Sequence, residues 1–238
     1  MVPPVSTPVN LRARDWIECS SVEANVMARW PDYRVFLIAA DDVDVRSLDA
    51  HASALMAEAH AMARAMSTDQ VDPHVARWHD AYLDFGVKPR VARPSVDALI
   101  RRARSDDGVP TINTLVDLYN AISILHRVPI GGEDLDRYSG AARLIIASGN
   151  ETFQTTAHGE PVIDHPDPGE PAWVDDLGVT CRRWNWRQTS RTAIGAETRR
   201  VAFIIDSLQA PDHVSARRAS EQLADLIPNA LRRTITSS

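Results

Sequence analysis

The sequence predicts an α+β fold in which helices pack on a β-rich half built from short antiparallel strands. Two observations lead to this prediction. Apolar residues recur at helical spacing over residues 48–125, with helix-capping residues before them. From Gly140 onward the pattern changes to short apolar runs separated by turns rich in Gly, Pro and Asp, which is typical of strands. A small α/β extension before these two parts completes the predicted architecture.

Composition limits the class of protein. The chain has 238 residues, of which 44% are hydrophobic and 24% are charged, as in ordinary soluble globular proteins. A net charge of −6 at pH 7 argues against a protein that coats DNA or RNA non-specifically, although a local basic pocket could still receive one end of an RNA. Cys19 and Cys181 give neither a disulfide framework nor metal-knuckle spacing, so no metal and no cofactor are predicted.

The cellular location is predicted from two features that the sequence lacks. The proline-rich residues 1–10 have neither the basic start nor the apolar stretch of a signal peptide. No apolar run approaches the roughly 20 residues that span a bilayer. We therefore expect a cytoplasmic protein with no membrane partner and no DNA partner.

Residues 1–70 are expected to form the N-terminal α/β extension. Glu23–Arg29 and Tyr33–Ala40 are predicted strands, and the second is an apolar run suited to a buried strand. Ser47 is predicted to cap an alanine-rich helix over Leu48–Met66. Residues 71–238 are then the predicted main domain.

Three further helices are predicted in the first part of the main domain. Asp72-Pro73 marks the start of one helix, and Ser95 is predicted to cap a second whose arginines face solvent or contact an RNA backbone. The third covers Pro110–Leu125, with Asn113 as its cap and Asn120 within its apolar pattern. A polar amide at that position needs a partner, so Asn120 either anchors a loop or faces a pocket.

Short strands and a last helix are predicted in the remainder of the chain. The helix begins at Asp212 and ends before Pro228. The predicted strands are Ala141–Ala147, Thr152–Thr155, Pro161–Ile163, Ala172–Asp175, Val179–Trp184 and Arg200–Asp206.

The segment Cys181–Thr192 (CRRWNWRQTSRT) contains four arginines, two tryptophans and no aliphatic residue. Such a segment contributes little to a core and is typical of a strand and turn lining a polar pocket for something anionic or flat. The alternative is a surface hairpin with half-buried tryptophans. On a strand, the two tryptophans would alternate with Arg183, Asn185 and Arg187, so that one set packs inward and the other lines the pocket, or the reverse.

The common catalytic and nucleotide-binding motifs do not occur. There is no Walker loop, no GxGxxG, no HExxH and no GxSxG. The residues alone therefore predict a soluble α+β domain with a polar pocket of Arg, Trp, Asn and Gln side chains.

Five segments between Gly86 and about Asp206 carry a resemblance to a known family. In chain order these segments are FGVKPR, RPSVDALIRR, PTINTLVDLYNAIS, VPIGGEDLDRYSG and CRRWNWRQTSRT. Together they resemble the B3/B4 domain of the phenylalanyl-tRNA synthetase β-chain and, more closely, the freestanding B3/B4 proteins that carry this domain without a synthetase. The resemblance implies a pocket between the helical and β-rich parts. It also implies hydrolysis of the ester of a mischarged tRNA, with the 3′ end of an aminoacylated tRNA as partner.

The chain departs from the synthetase domain at two positions. A histidine of that domain falls on Gly131 here, and its pocket glutamate falls near Gln188. Glutamine can hold an amino group or a water but is not a base at pH 7. We therefore expect positioning of a water, together with the substrate's own ribose hydroxyl, to replace the missing base.

The resemblance also suggests which residues form the site. Arg183 or Arg187 would meet the terminal phosphate or the carbonyl oxygen, and Asp134 would accept from the substrate's ammonium group or pair with one of these arginines. The predicted catalytic residues are Gln188, Asn185 and Arg187, and the predicted substrate-binding residues are Asn120, Asp134, Arg183, Trp184, Trp186 and Thr192.

Two other functions stay open on the sequence alone. One is non-catalytic binding of tRNA, of a free amino acid or of a nucleotide, and the other is an amidase or esterase acting on a small aminoacyl compound. The acidic net charge favours a small ligand over extensive RNA contact, because phosphate contacts dominate RNA affinity. The sequence identifies neither the amino acid nor the tRNA, and it does not indicate an oligomeric state.

Overall fold

The computed structural model describes residues 9–67, 71–88, 90–157, 159–209 and 212–236, so most of the proline-rich start lies outside the described residues. These ranges form seven α-helices and eleven β-strands, which confirms the predicted α+β class. The helices are α1 (Ala13–Cys19), α2 (Ala24–Arg29), α3 (Asp49–Ala65), α4 (Pro73–Asp84), α5 (Ser95–Arg104), α6 (Thr114–His126) and α7 (Val214–Leu226). The strands are β1 (Ser21–Val22), β2 (Arg34–Ala40), β3 (Ile130–Asp134), β4 (Arg143–Ile146), β5 (Phe153–Ala157), β6 (Glu160–Asp164), β7 (Pro171–Asp175), β8 (Gly178–Arg182), β9 (Arg187–Gln188), β10 (Val201–Ser207) and β11 (Leu231–Thr236).

A four-stranded antiparallel sheet in the order β11-β2-β10-β3 forms one layer. Its central strands β2 and β10 are apolar runs, as expected for strands that are buried on both faces. In the register of β10 with β3, Ala202 pairs with Glu133 and Ile204 pairs with Gly131. Because paired residues share a face and alternate residues do too, Glu133, Ile204 and Asp206 point to the same side of this sheet.

A five-stranded sheet in the order β1-β4-β7-β8-β9 faces that side. The register places Leu144 opposite Trp173, Trp173 opposite Cys181, and Cys181 opposite Gln188, so these residues share a face. Leu144 and Trp173 belong to the same buried cluster as Ile204 of the first sheet. The two sheets therefore pack face to face, and the β5–β6 hairpin covers part of the outer side through Phe153.

Helices cover the other side of the four-stranded sheet. Ile38, Phe203 and Ile205 on that side pack in one buried cluster with side chains of α6 and α7, such as Ile122 and Leu223. Helix α3 lies along α6 and α5 packs against both. No helix in the described ranges is long and apolar enough to cross a membrane.

Residues before position 70 contribute to the same core. Strand β2 lies between β10 and β11, and so pairs with two strands of the predicted main domain in one sheet. The predicted division into residues 1–70 and residues 71–238 stays a prediction.

Three local features differ from the sequence-based expectation. Glu23–Arg29 was predicted as a strand, but this prediction was wrong, because the region forms β1 followed by α2. The four-residue spacing of Val26 and Trp30 buries both on one side of a helical turn. Strands β3 and β11 were not predicted. The Gly-Gly pair hid β3, where a Cβ atom on Gly132 would lie 2.7 Å from the Tyr119 ring and so would not fit.

Candidate functional site

A pocket of about 270 Å³ lies where the two sheets face each other. Strands β3 and β10 provide Gly131, Glu133, Ile204 and Asp206, while β7 and β8 provide Trp173 and Cys181. The β8–β9 turn and β9 supply Trp184, Asn185, Trp186 and Gln188, and helices α5 and α6 close the space with Ser95, Ala98, Leu99, Tyr119 and Asn120. The pocket thus lies between the helical and β-rich parts of the chain.

The tight turn between β8 and β9 shapes one wall of the pocket. Arg183 (φ 47°) and Trp184 (φ 68°) both adopt a left-handed backbone conformation there. The predicted alternation of tryptophans with arginines and asparagine along a strand was therefore wrong. Residues 183–186 form a turn, and as a result Trp184, Asn185 and Trp186 all line the pocket.

Trp184 anchors this turn in the core. Its side chain is fully buried, and its ring centroid lies 4.7 Å from that of Trp30, 4.9 Å from Tyr33 and 5.2 Å from Trp78. Edge-to-face aromatic contacts of this kind contribute about 0.5–1.5 kcal/mol each beyond the buried area. The aromatic cluster explains how a turn with two residues in left-handed conformation is held in place.

Asn185 presents an unpaired hydrogen-bond donor to the pocket. Its side chain is 7% exposed, and the Tyr82 hydroxyl lies 3.1 Å from its Oδ1 atom and 2.7 Å from the Arg183 carbonyl oxygen. The Nδ2 atom is buried and has no hydrogen-bond partner among the described residues. A buried donor without a partner is unusual in proteins. This amide nitrogen is therefore available to a ligand oxygen.

Asp206 is a buried carboxyl on the floor strand β10. It is 2% exposed, and the Tyr33 hydroxyl donates to its Oδ1 atom at 2.6 Å. Burial raises the pKa of Asp206 to about 7, even though the Tyr33 hydroxyl acts to lower it. The nearby side-chain N–H groups of Asn185, Trp173 and Trp184 also act to lower this pKa, although none of them forms a well-aligned hydrogen bond to the carboxyl. Asp206 is thus close to half ionised at neutral pH.

Glu133 is the second buried carboxyl of the pocket. It is 2% exposed, and the Gln188 amide donates to its Oε2 atom at 2.7 Å and also to the Gly132 carbonyl oxygen. Burial raises the pKa of Glu133 to about 8, while contacts with the Thr192 hydroxyl and the Gln188 amide act to lower it. Glu133 is therefore largely protonated at pH 7.

The remaining lining side chains are neutral. None of the lining residues in the part of the chain that the structure describes is a lysine, an arginine or a histidine. Burial raises the pKa of the Cys181 thiol, so this thiol is protonated and unsuited to act as a nucleophile at neutral pH. The pocket accordingly combines two acids, three amides, the hydroxyl groups of Ser95 and Tyr119, and a largely aromatic wall.

The structure brings five of the nine predicted site residues together on the pocket. These are Asn120, Trp184, Asn185, Trp186 and Gln188.

Arg183, Arg187, Asp134 and Thr192 do not line the pocket. The Arg183 guanidinium stacks 4.4 Å from the centroid of the Trp186 ring and pairs with Asp167 at 3.1 Å. Arg187 is exposed and donates to the Thr156 carbonyl oxygen at 3.3 Å. Roles for these residues stay predictions.

Asp134 and Thr192 lie behind the pocket wall. Asp134 accepts from the Thr198 hydroxyl at 2.6 Å, and its nearest basic group is Arg137 at 3.6 Å. One of the two expectations was a salt bridge from Asp134 to Arg183 or Arg187. That expectation was wrong, because the salt bridge is with Arg137. Thr192 is fully buried, and its hydroxyl acts on the pKa of Glu133.

Two other arginines of the Cys181–Thr192 segment form buried ion pairs with acids outside the pocket. Arg182 is 5% exposed and bonds to both carboxylate oxygens of Glu170 at 3.0 Å. Arg191 pairs with both oxygens of Asp175 at 2.7 Å. The unusual arginine content of the segment therefore reflects, in part, ion pairs that fix the second sheet.

Sequence reasoning missed Glu133 and Asp206. Each did leave a signal, because Asp206 ends the apolar run Val201–Ile205 and Glu133 follows the Gly-Gly pair in a stretch that reads as a loop. A single acid in a run that is otherwise apolar marks a buried carboxyl, which needs a specific environment.

Comparison with known proteins places the chain in a family. A family model described as the B3/4 domain matches residues 77–231. A solved structure of an N-terminal fragment of the phenylalanyl-tRNA synthetase beta subunit from Pyrococcus horikoshii is similar over 90% of this chain and 50% of that chain, with 11% sequence identity and a TM-score of 0.46. This chain thus spans about half the length of that structure, and a similarity of this size gives no basis for transferring a function. A comparison with curated proteins gave no match. Because the family model covers more than half of the sequence, the chain belongs to the B3/4 domain family.

Proposed function

We propose that the pocket holds the aminoacyl group at the 3′ end of a mischarged tRNA and hydrolyses its ester bond, as a trans-acting editing activity. The observation that carries this proposal is the charge of the pocket. Its ionisable acids are Glu133 and Asp206, and no basic residue is found among its described lining residues.

The sign of that charge separates the candidate ligands. An aminoacyl ester carries an α-ammonium group and no carboxylate, a free amino acid carries both, and a nucleotide carries phosphate. Buried acids without a basic partner attract the ammonium group and disfavour the carboxylate or phosphate, since like charges raise the energy of a buried site. The pocket therefore suits an aminoacyl ester better than a free amino acid or a nucleotide.

The size of the pocket supports the same choice. Its volume of about 270 Å³ lies just below the range of sites for drug-sized ligands, which run from about 300 to 1,000 Å³. It has room for one aminoacyl group, while the ribose and the rest of the RNA would stay outside.

The proposed binding mode uses Asp206 on β10 and Asn185 in the β8–β9 turn. Asp206 pairs with the α-ammonium group, and the positive charge favours the ionised carboxylate. The unpaired Asn185 amide nitrogen donates to the carbonyl oxygen of the ester and holds the negative charge that develops there. Gln188 donates through its nitrogen to Glu133, which leaves its side-chain oxygen to accept from a water.

The proposed reaction is direct hydrolysis. Water attacks the carbonyl carbon, and the bond from that carbon to the ribose oxygen breaks. The ribose oxygen takes a proton, with the neighbouring ribose hydroxyl assisting the transfer, and the amino acid leaves as a carboxylate. The new carboxylate is repelled by the acidic pocket, which favours release of the product.

Exposed arginines near the pocket are the proposed contacts for the RNA backbone. Arg187 follows Trp186 in sequence and is solvent-exposed, and Arg102 is exposed on α5, the helix that lines the pocket with Ser95 and Leu99. Arginine binds phosphate in a bidentate manner, so these side chains suit the terminal phosphates.

A deacylation panel tests the proposal. Correctly and wrongly charged tRNAs are incubated with the wild type, with Asn185→Ala, and with Arg14→Ala, which changes an exposed arginine that does not line the pocket. We expect at least one tRNA to lose its ester faster than in buffer, and we expect Asn185→Ala to slow this about 10²-fold, as for other oxyanion donors.

Four results would count against the proposal. Ester loss at the buffer rate across the whole panel contradicts it, and so does an Asn185→Ala variant that is as fast as Arg14→Ala. Saturable binding of a charged tRNA without turnover would favour the non-catalytic alternative. Turnover of small aminoacyl esters with no activity on tRNA would favour an esterase.

A further inference from the structure

We propose that the aminoacyl group recognised here carries a second cation in its side chain, held by Glu133 while Asp206 holds the α-ammonium group. The substrate class is thus a basic amino acid, such as one of the lysine, ornithine or arginine type. This inference rests on the proposed function, because it assigns the side chain of the same aminoacyl ligand.

The first observation is that the two acids of the pocket lack the arginine partners that three other buried acids have. Glu170 pairs with Arg182 at 3.0 Å, Asp175 pairs with Arg191 at 2.7 Å, and Asp97 pairs with Arg101 at 2.7 Å.

Glu133 and Asp206 form no ion pair within the described ranges, and their hydrogen bonds come from the neutral Gln188 amide and Tyr33 hydroxyl. Buried charges in proteins are normally paired. Without such a partner a buried carboxyl is held in its protonated form, and a cation on the ligand is the group that would stabilise its ionised form.

The second observation is the distance between the two acids. Ala202 is the residue opposite Glu133, and Asp206 lies four residues further along the same strand. Four residues of a strand, together with the spacing between strands, place the two Cα atoms about 14 Å apart. Both side chains point to the same face, so one extended ligand with a cation at each end can reach both carboxyls. A ligand with the α-ammonium group alone would leave one acid without a partner.

The third observation is the free space between the acids. Gly131 lies between them on the shared face, opposite Ile204, and a Cβ atom built on Gly131 would meet no atom within 4 Å. Trp173, Trp184 and Trp186 stand around this space. Aromatic side chains cover the methylene groups of a long cationic side chain and attract its charge.

The binding of small aminoacyl amides tests the inference without relying on catalysis. Lysinamide and norleucinamide share the α-ammonium group and the carbon skeleton, but norleucinamide lacks the terminal ammonium group. Isothermal titration of the wild type is expected to show lysinamide binding at least about tenfold more tightly, equivalent to about 1.4 kcal/mol. The Glu133→Gln variant is expected to lose this preference, and Asp206→Asn is expected to weaken both amides.

Two control variants distinguish a specific loss of binding from a folding defect. Asp15→Asn removes an exposed acid that does not line the pocket and should bind both amides as the wild type does. Gly131→Val fills the space between the acids without changing a charge, and should weaken lysinamide binding in a protein whose thermal unfolding stays cooperative.

Equal binding of the two amides by the wild type would overturn the inference, as would a lysinamide preference that persists in Glu133→Gln. The outcome is separable from that of the proposed function. Hydrolysis of tRNA esters with neutral and basic amino acids at equal rates would sustain editing and overturn the basic substrate class. A lysinamide preference without ester loss from any tRNA would sustain the two-cation pocket and overturn editing.

Discussion

Replacing Asp206 by asparagine is expected to change how the free energy of unfolding of the protein depends on pH. Burial raises the pKa of Asp206 from 3.8 to about 7, so between these values the folded protein holds a proton that the unfolded chain has released. The stability linked to this proton is fully present below pH 3.8 and is lost as the pH rises through 7. The amide of the Asp206→Asn variant has similar size and does not titrate.

The size of the effect follows from the two pKa values. One titrating group changes the free energy of unfolding by at most about 1.4 kcal/mol per pH unit. Because this slope is reached only between the two pKa values, the stability of the wild type should fall by roughly 3 kcal/mol relative to the variant between pH 4 and pH 7. Any weakening of the hydrogen bond from Tyr33 in the variant adds a constant offset and leaves this pH dependence unchanged.

Urea unfolding of both proteins at several pH values between 4 and 8 measures the difference. The contributions of all other titrating groups cancel when the two curves are subtracted. Two parallel curves would refute the reasoning, because they would mean that Asp206 titrates in the folded protein as it does in the unfolded chain.

Asp97→Asn serves as a control with the opposite sign. Burial acts to raise the pKa of Asp97, but hydrogen bonds and charges from His79 and Arg101 outweigh it and lower the pKa to about 2. A carboxyl with a lowered pKa contributes stability above pH 3.8 and loses it as the pH falls through 2. Asp97→Asn should therefore be less stable than the wild type at neutral pH, and the deficit should shrink on acidification.

Three further predictions follow from the contacts. Glu170→Gln removes one charged partner of the buried Arg182 and leaves Asp164, at 2.6 Å, as its nearest acid. The free energy of urea unfolding should fall by about 3 kcal/mol, and an unchanged urea midpoint would contradict this. Gly132→Ala brings a Cβ atom within 2.7 Å of the Tyr119 ring and should cost about 1–3 kcal/mol in thermal unfolding, unless β3 shifts freely. Arg187→Ala should weaken tRNA binding and reduce the slope of log K against log salt by about 1, whereas a slope equal to that of wild type would exclude a phosphate contact.

Two helix starts follow from local sequence signals, whereas the predicted caps Ser47 and Ser95 were wrong, because neither side chain accepts from the start of its helix. Asp72 accepts from the His74 backbone N–H at the start of α4, and Asn113 accepts from that of Val116 at the start of α6, as the capping pattern predicted. These two caps involve residues two or three positions apart, which is why a local pattern could predict them.

The pocket depended on pairings that the sequence does not display. Gln188 meets Glu133 across 55 positions, and Tyr33 meets Asp206 across 173 positions. Strand register decides both contacts, and register follows from the complete pattern of buried residues rather than from any one segment. The sequence pattern predicted Cys181–Thr192 as a pocket wall. It did not predict the two pocket acids, because Glu133 lies in a stretch typical of a loop and Asp206 ends an apolar run typical of a core strand.

The β8–β9 turn shows the same limit at short range. A strand over residues 183–187 was predicted to place its side chains alternately on two opposite faces. In the structure Arg183 and Trp184 have left-handed conformations, so these residues form a turn instead of a strand. Non-glycine residues adopt this conformation rarely, and here burial of Trp184 among Trp30, Tyr33 and Trp78 holds it. That stabilisation is tertiary and has no local signature.

The most direct test of the central claim compares an aminoacyl amide with the matching free amino acid. Lysinamide and lysine differ at the carboxyl group, which is neutral in the amide and negatively charged in the free amino acid. Because the charged lining residues of the pocket are both acids, titration of the wild type at pH 7 should show lysinamide binding at least about tenfold more tightly than lysine. Equal affinity for the two compounds, or tighter binding of lysine, would contradict the account.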